Sequence, residues 1–321
     1  MHALVTGSAG FIGSHLTERL LADGHRVRAV DCLTPFYEIQ QKLENQRVMA
    51  TLPACESIQA DLRTCDLTEI LEGIDVVFHQ AGQPGVRPSW SSGFASYVEH
   101  NILATQRLLE GVRMIGVERF VFASSSSVYG NAASFPTSES DLPRPHSPYG
   151  VTKLAAEHLC NTYAHNWGVP TVALRYFTVF GPRQRPDMAM HRLVEASLAG
   201  EAFPLYGDGR QVRDFTYVDD VVRANLLAAS VAVPPGSVIN VAGGTQATLL
   251  EVAGIIGEEL GRSASFDVQS SQPGDVERTA GSIERAQALL GWQPIVPLRD
   301  GLARQVAWHV ERAAARTAAE P

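Results

Sequence analysis

The chain is short of the features that mark several protein classes. It has only four cysteines in 321 residues, Cys32, Cys55, Cys65 and Cys160. None stands in CxxC spacing, which argues against a disulfide framework or a zinc ribbon; reduced, mostly buried thiols are expected. There is no HExxH, and His158 and His165 lie seven apart on one helical stretch, a packing or surface arrangement. No metal site is expected. No run approaches the roughly 18 apolar residues of a membrane span. The opening MHALVTGSAGFIGSHL lacks a charged leader and a signal-peptide core, so the cytoplasm is the expected location. Positive charge is in deficit: 26 Lys and Arg against 34 Asp and Glu give 26 − 34 = −8. Without a basic run the chain is a poor nucleic-acid binder, and neither nucleic acid nor membrane is expected as a partner. With 45% hydrophobic and 19% charged residues, the composition supports a sizeable core and excludes general disorder.

What is present begins at the N-terminus. Ala3-Leu4-Val5-Thr6 reads as a buried strand. Gly7, Gly10 and Gly13 follow as GxxGxxG. Ile12, Leu16 and Leu20 then mark one helix face, ended by Gly24, and His25 to Val30 reads as a second strand with Asp31 at its end. Glycines let the turn tighten and let a diphosphate approach the backbone, while the helix N-terminus offers unpaired N–H groups. Asp31 suits the ribose hydroxyls of an adenosine and repels a 2′-phosphate, which favours NAD over NADP.

Further on, DVVFH (75–79) and RFVFA (119–123) read as strands, separated by a helix around Tyr97 to Val112. Ser147 is placed to cap a helix whose first residue is Pro148. The alternation predicts an α/β fold, a doubly wound parallel sheet that binds ligands at the carboxyl ends of its strands. Tyr149 and Lys153 are four apart on the Ser147-capped helix and share a face. A tyrosine titrates near pH ~10, and bringing it to neutrality takes about 4 kcal/mol. A nearby ammonium and a cationic nicotinamide could supply that, making Tyr149 a general base for an alcohol.

These residues carry a resemblance. TGSAGFIGSHL, Asp61-Leu62, HQAG, SSSSVYG, SPYGVTK, LRYFTVFGPRQRP, YGDGRQVRDFTYVDDVV, PGDVERT and LLGW are similar to motifs of the extended short-chain dehydrogenase/reductases, in the branch of nucleotide-sugar epimerases and dehydratases. The likeness runs over nearly the whole chain. It implies that Gly7, Gly10, Phe11, Ile12 and Gly13 hold the NAD diphosphate, Asp31 the ribose, and Asp61 with Leu62 the adenine. Ala81, Gly82 and Tyr176 would line the nicotinamide side. Tyr149 would be the base, Lys153 would hold the nicotinamide ribose and tune Tyr149, and Ser125 would bond the same sugar hydroxyl. Thr178, Arg213 and Asp275 would meet the nucleotide sugar. The family often has Arg where this chain has Gln272. A homodimer through the helices around Tyr97 and Tyr149 is also implied.

The family's reactions start alike, by oxidation of the sugar at C4. Its 4,6-dehydratases carry an Asp-Glu pair directly after the catalytic Thr, where this chain has Ser126 and Ser127. Neither hydroxyl is a base at neutral pH without help. The segment 177–189 looks most like UDP-glucuronate 4-epimerases, including relatives in antibiotic pathways. Ser126, Ser127 and Thr178 could bond a C6 carboxylate and Arg185 could pair with it. A 4-epimerase acting on a UDP-hexuronate or UDP-hexose is the leading expectation. A UDP-N-acetylglucosamine 5,6-dehydratase is the alternative, ahead of a UDP-glucuronate decarboxylase and a non-catalytic NAD-binding regulator. Residues 1–180 are expected to form the NAD-binding domain and 181–321 a smaller substrate domain, with a strand near 237–242 returning to the main sheet. Thr248 to Glu251 is a capping box. A last helix is expected from Leu298 to Ala313, with Ala314 to Pro321 frayed.

Overall fold

A computed structural model describes residues 1–271 and 274–319. The apolar runs become strands β1 (His2–Thr6), β2 (Arg26–Asp31), β3 (Cys55–Gln59), β4 (Val76–His79), β5 (Arg119–Ser125) and β6 (Thr171–Tyr176). Four more strands build a cap, β7 (Thr178–Phe180), β8 (Ala202–Tyr206), β9 (Val212–Tyr217) and, after β10 (Ser237–Val241), β11 (Thr245–Thr248); β12 (Ser265–Gln269) pairs with β8. The main sheet has the order β3-β2-β1-β4-β5-β6-β10, with every pair parallel. Side chains alternate across it with period two. Ala3 and Val5 join the helix residues Leu16 and Leu20 in the core on one face. Leu4, between them, joins Leu108, Leu109 and Val112 on the other.

The strand order reverses between β1 and β4, and the crevice above that switch point is where such sheets take ligands. β7 begins two residues after β6, leaves the main sheet and pairs with β9, which pairs in turn with β11. The cap therefore hangs directly from the end of β6, over the same crevice. The Tyr97–Val112 stretch is helical, with a π-helical segment at Val98–Leu103 that the sequence pattern did not reveal. The last helix runs from Leu298 to Ala319, past the expected stop at Ala313. Alanine-rich sequence favours helix there, and Arg312 and Arg316 meet Glu44 and Glu195. Glu320 and Pro321 of the expected tail, like Gln272, lie outside the described residues. Cys160 is buried, whereas Cys32, Cys55 and Cys65 are half-buried, and all four are unpaired thiols.

Candidate active site

The helix Phe11–Ala22 points its N-terminus into the crevice. Gly10 is its N-cap, no side chain caps it, and no acid stands in its first turn. The contrast with other helices is informative. Ser147 Oγ accepts from Gly150 N at 3.1 Å at the start of Pro148–Trp167, and Thr248 with Glu251 forms the expected capping box on Leu249–Leu260. The open terminus of Phe11–Ala22 faces a cleft lined by Gly7, Gly10, Phe11, Ile12 and Gly13, an arrangement made for an anion. The glycines are required there. A Cβ on Gly13 would lie 2.1 Å from the Gly7 carbonyl oxygen, and one on Gly7, at φ +70°, would lie 2.7 Å from Ala81 N.

The same cleft takes in Asp31, Asp61, Leu62, Ala81, Gly82, Tyr149, Lys153 and Tyr176. Asp31 is held by Ala9 N at 3.1 Å and Leu33 N at 2.7 Å, leaving lone pairs for a ribose. Asp61 is bound by Arg63 at 2.6 Å, which holds its carboxyl below the usual range. A glycine cradle, an open helix terminus and an acid at the end of β2 fit a dinucleotide. These residues would hold NAD, which supplies a reversible hydride acceptor.

A second cleft adjoins the first and shares Phe11, Ile12, Ser124, Tyr149, Tyr176 and Arg185 with it. It gathers Ser125, Ser126, Ser127, Thr178, Arg213 and Asp275. The register of β5 and β6 sets Ser125 opposite Tyr176. Tyr149 stands where the clefts meet. Burial pushes its phenol up from the ordinary value, and a hydrogen bond with Ser125 and the charge of Arg185 draw it back. The Lys153 ammonium, four residues along, donates to Ala123 O at 2.9 Å. It lies against Gly82, where a Cβ would come within 3.1 Å of it, on the wall of the first cleft. Burial lowers Lys153 to about 8, so it is still mostly charged at neutral pH.

Several residues at the site carried no sequence signal. Asn101, in the π-helical segment, accepts from Gln83 N at 2.6 Å and donates to Gln83 O at 3.1 Å and Thr152 Oγ1 at 3.0 Å. It ties the loop after β4 to the tyrosine helix. π-helical turns often mark such functional positions. Lys42 and Tyr37 line the first cleft from a helix and loop after β2. Arg87 pairs with Asp275 at 2.7 Å and covers the Tyr206 ring at 4.1 Å, setting a second guanidinium near Arg213. Arg185, which the sequence did single out, is bound to Asp187 through two hydrogen bonds of 2.9 Å.

The fold and these two clefts define a dinucleotide-binding enzyme, with Ser125 and Tyr149 on the wall of a polar pocket beside the first cleft. The chain belongs to the NAD dependent epimerase/dehydratase family, whose model matches residues 3–242. It is 44% identical over 314 residues, 96% of this chain and 98% of the relative, to an uncharacterized UDP-glucose epimerase of Bacillus subtilis (strain 168). The UDP-glucuronic acid 4-epimerase of Bacillus cereus, solved with UDP-glucuronic acid and NAD, superposes with a TM-score of 0.94 at 42% identity, covering 97% of this chain and 100% of that one. MoeE5, solved with UDP-glucose and NAD, gives 0.88 at 45% identity over 98% and 100%. No helix among the described residues is long and apolar enough to cross a membrane.

Proposed function

We propose that this protein is a UDP-sugar 4-epimerase acting on UDP-glucuronate and its C4 epimer. The observation that carries the reading is the composition of the second cleft. Ser125 is followed by two further hydroxyls, Ser126 and Ser127, with Thr178 and Arg185 completing a pocket around Tyr149. An elimination across C5–C6 needs a base and an acid at these positions, and hydroxyls are neither at neutral pH. The similar proteins solved with UDP-glucuronic acid support the substrate class.

In this reading Tyr149 takes the proton of the C4 hydroxyl, while Ser125 holds the same oxygen. Arg185 exchanges one of its bonds to Asp187 for the C6 carboxylate, to which bidentate pairing is suited. Arg87 and Arg213 neutralise the diphosphate. Lys153 binds the nicotinamide ribose as a cation. The 4-keto sugar then turns over in the pocket, where short hydroxyl side chains leave room and can bond either face. Tyr149 returns its proton to the inverted alkoxide. Exposed Phe94, Leu103 and Val151 lie on or beside the two helices expected to form a homodimer interface, and we place the dimer contact and a cytoplasmic site of action within the same proposal.

The test is UDP-glucuronate incubated with the enzyme in D2O and followed by proton NMR. The expected result is inversion at C4 with no deuterium at C5. Exchange at C5, vinyl protons or loss of the carboxylate would overturn the reading.

A further inference from the structure

The sequence leads to no metal site, yet away from both clefts three side chains able to ligate an ion stand together. His191 and Glu195 stand four apart on the helix Ala189–Ala199 and share its face. His309 reaches them from the helix Leu298–Ala319. One potential ligand atom from each lies within 4.8 Å of the other two. His191 Nδ1 is 2.7 Å from the Gln184 carbonyl oxygen. A carbonyl only accepts, so that nitrogen carries the proton and Nε2 presents a lone pair. A backbone carbonyl behind a ring nitrogen is the usual support of a metal-binding histidine. His309 is fully buried. Its Nδ1 is 2.5 Å from Glu195 Oε1, and its Nε2 has no partner.

We propose that His191, Glu195 and His309 bind a divalent transition metal of the zinc class, which joins the helix Ala189–Ala199 to the C-terminal helix. Two imidazoles and one carboxylate suit Zn2+. Tetrahedral bonds of ~2.0–2.1 Å set ligand atoms roughly 3.3 Å apart. The widest pair closes by about 1.5 Å at most and the 2.5 Å pair of His309 and Glu195 opens by about 0.8 Å, within reach of a rotation of Glu195, whose side chain is 38% exposed. That open side also admits the ion and a water as fourth ligand. Two arginines oppose the charge. Arg312 is already paired with Glu44 at 3.0 Å. Arg316, 3.8 Å from Glu195 Oε2 and more than half exposed, forms a weak solvated pair that the ion displaces. The site also bears on the catalytic region. Gln184 accepts from His191 N at 3.0 Å as well as holding its ring, and the next residue is Arg185. An ion here fixes the segment that carries that arginine.

The experiment uses the full-length, NAD-loaded protein, stripped with a chelator and titrated with Zn2+ alone. Bound metal per chain and thermal unfolding are read together, and Co2+ substitution reports geometry by its visible absorption. The expected result is one Zn2+ per chain and a Tm that rises with the logarithm of free Zn2+. Glu195→Gln and His191→Gln should each abolish both, and Glu195→Gln should leave turnover without zinc unchanged. Cobalt should give the strong absorption of a tetrahedral site. No binding at millimolar Zn2+, binding unchanged in both variants, or the weak spectrum of octahedral aquo-cobalt would overturn the proposal. Should a variant fail to fold, the cobalt spectrum of the unmodified protein decides.

Discussion

Beneath the serine segment lies a buried ion pair whose disruption gives a demanding test of how the active site is held. Glu157, one turn beyond Lys153 on the tyrosine helix, is 2% exposed, and Arg175 on β6 is 4% exposed. Arg175 donates to the carboxylate at 3.0 Å and 2.5 Å, and Ser124 Oγ donates at 2.8 Å. Arg175 also donates to Tyr129 Oη at 2.7 Å, which donates to Asn240 on β10 at 2.7 Å. Glu157→Gln keeps the size but removes the charge, and turns either an N–H group toward the guanidinium or a neutral oxygen in place of the carboxylate. Leaving one partner of a buried pair uncompensated costs about 3–5 kcal/mol. For a chain of 321 residues, an unfolding entropy of ~2.1 cal/mol/K per residue gives ~0.67 kcal/mol per degree, so Tm falls by about 4–7 °C. Ser124 precedes Ser125, so kcat should fall as well, about tenfold, since small misplacements of catalytic groups are expensive. Thermal unfolding of the NAD-loaded protein and steady-state kinetics check both. The paired variant Glu157→Leu with Arg175→Met removes both charges and should recover most of the lost stability. A Tm change below about 1 °C in Glu157→Gln, or a paired variant no more stable than the single one, would refute the reasoning.

Tyr149→Phe should lower kcat by about 10²–10⁴, or ~3–5 kcal/mol of barrier, while NAD remains bound; unchanged turnover would end its assignment as the base. Asp214 is raised to about 6 by burial, despite backbone N–H bonds from Gly281 and Gly244 at 3.0 Å and from Gly243. Its folded value is above its unfolded one, so its contribution is full below pH ~4 and is lost as pH rises through 6, a fall of about 3 kcal/mol. A Tm profile should show this decline, and Asp214→Asn should flatten it; a decline kept in the variant would assign it elsewhere. Gly13→Ala places a methyl 2.1 Å from the Gly7 carbonyl oxygen and should lower NAD affinity at least tenfold; normal NAD content after purification would show that the turn tolerates it.

The chemistry could be read from the chain because its carriers are local. Gly7, Gly10 and Gly13 sit in one turn, Tyr149 and Lys153 in one helical turn, and Ser124 to Ser127 in one strand end, so spacing alone brings each group together. The groups that hold and tune them are far apart in sequence and left no pattern. Arg87 meets Asp275 across 188 residues, and Glu157 finds Arg175 only because the tyrosine helix packs on β6. Lys153 shows the limit within a single motif. Helical spacing sets it on the face of Tyr149, yet the ammonium is fixed by a carbonyl at the end of β5, a strand whose position follows from sheet order rather than from helix pitch. Ser125 from β5 and Arg185 from the segment after β7 both draw the buried Tyr149 phenol down. A change confined to the Arg183–Asp187 segment should then alter the acidity of Tyr149 without touching the helix that carries it.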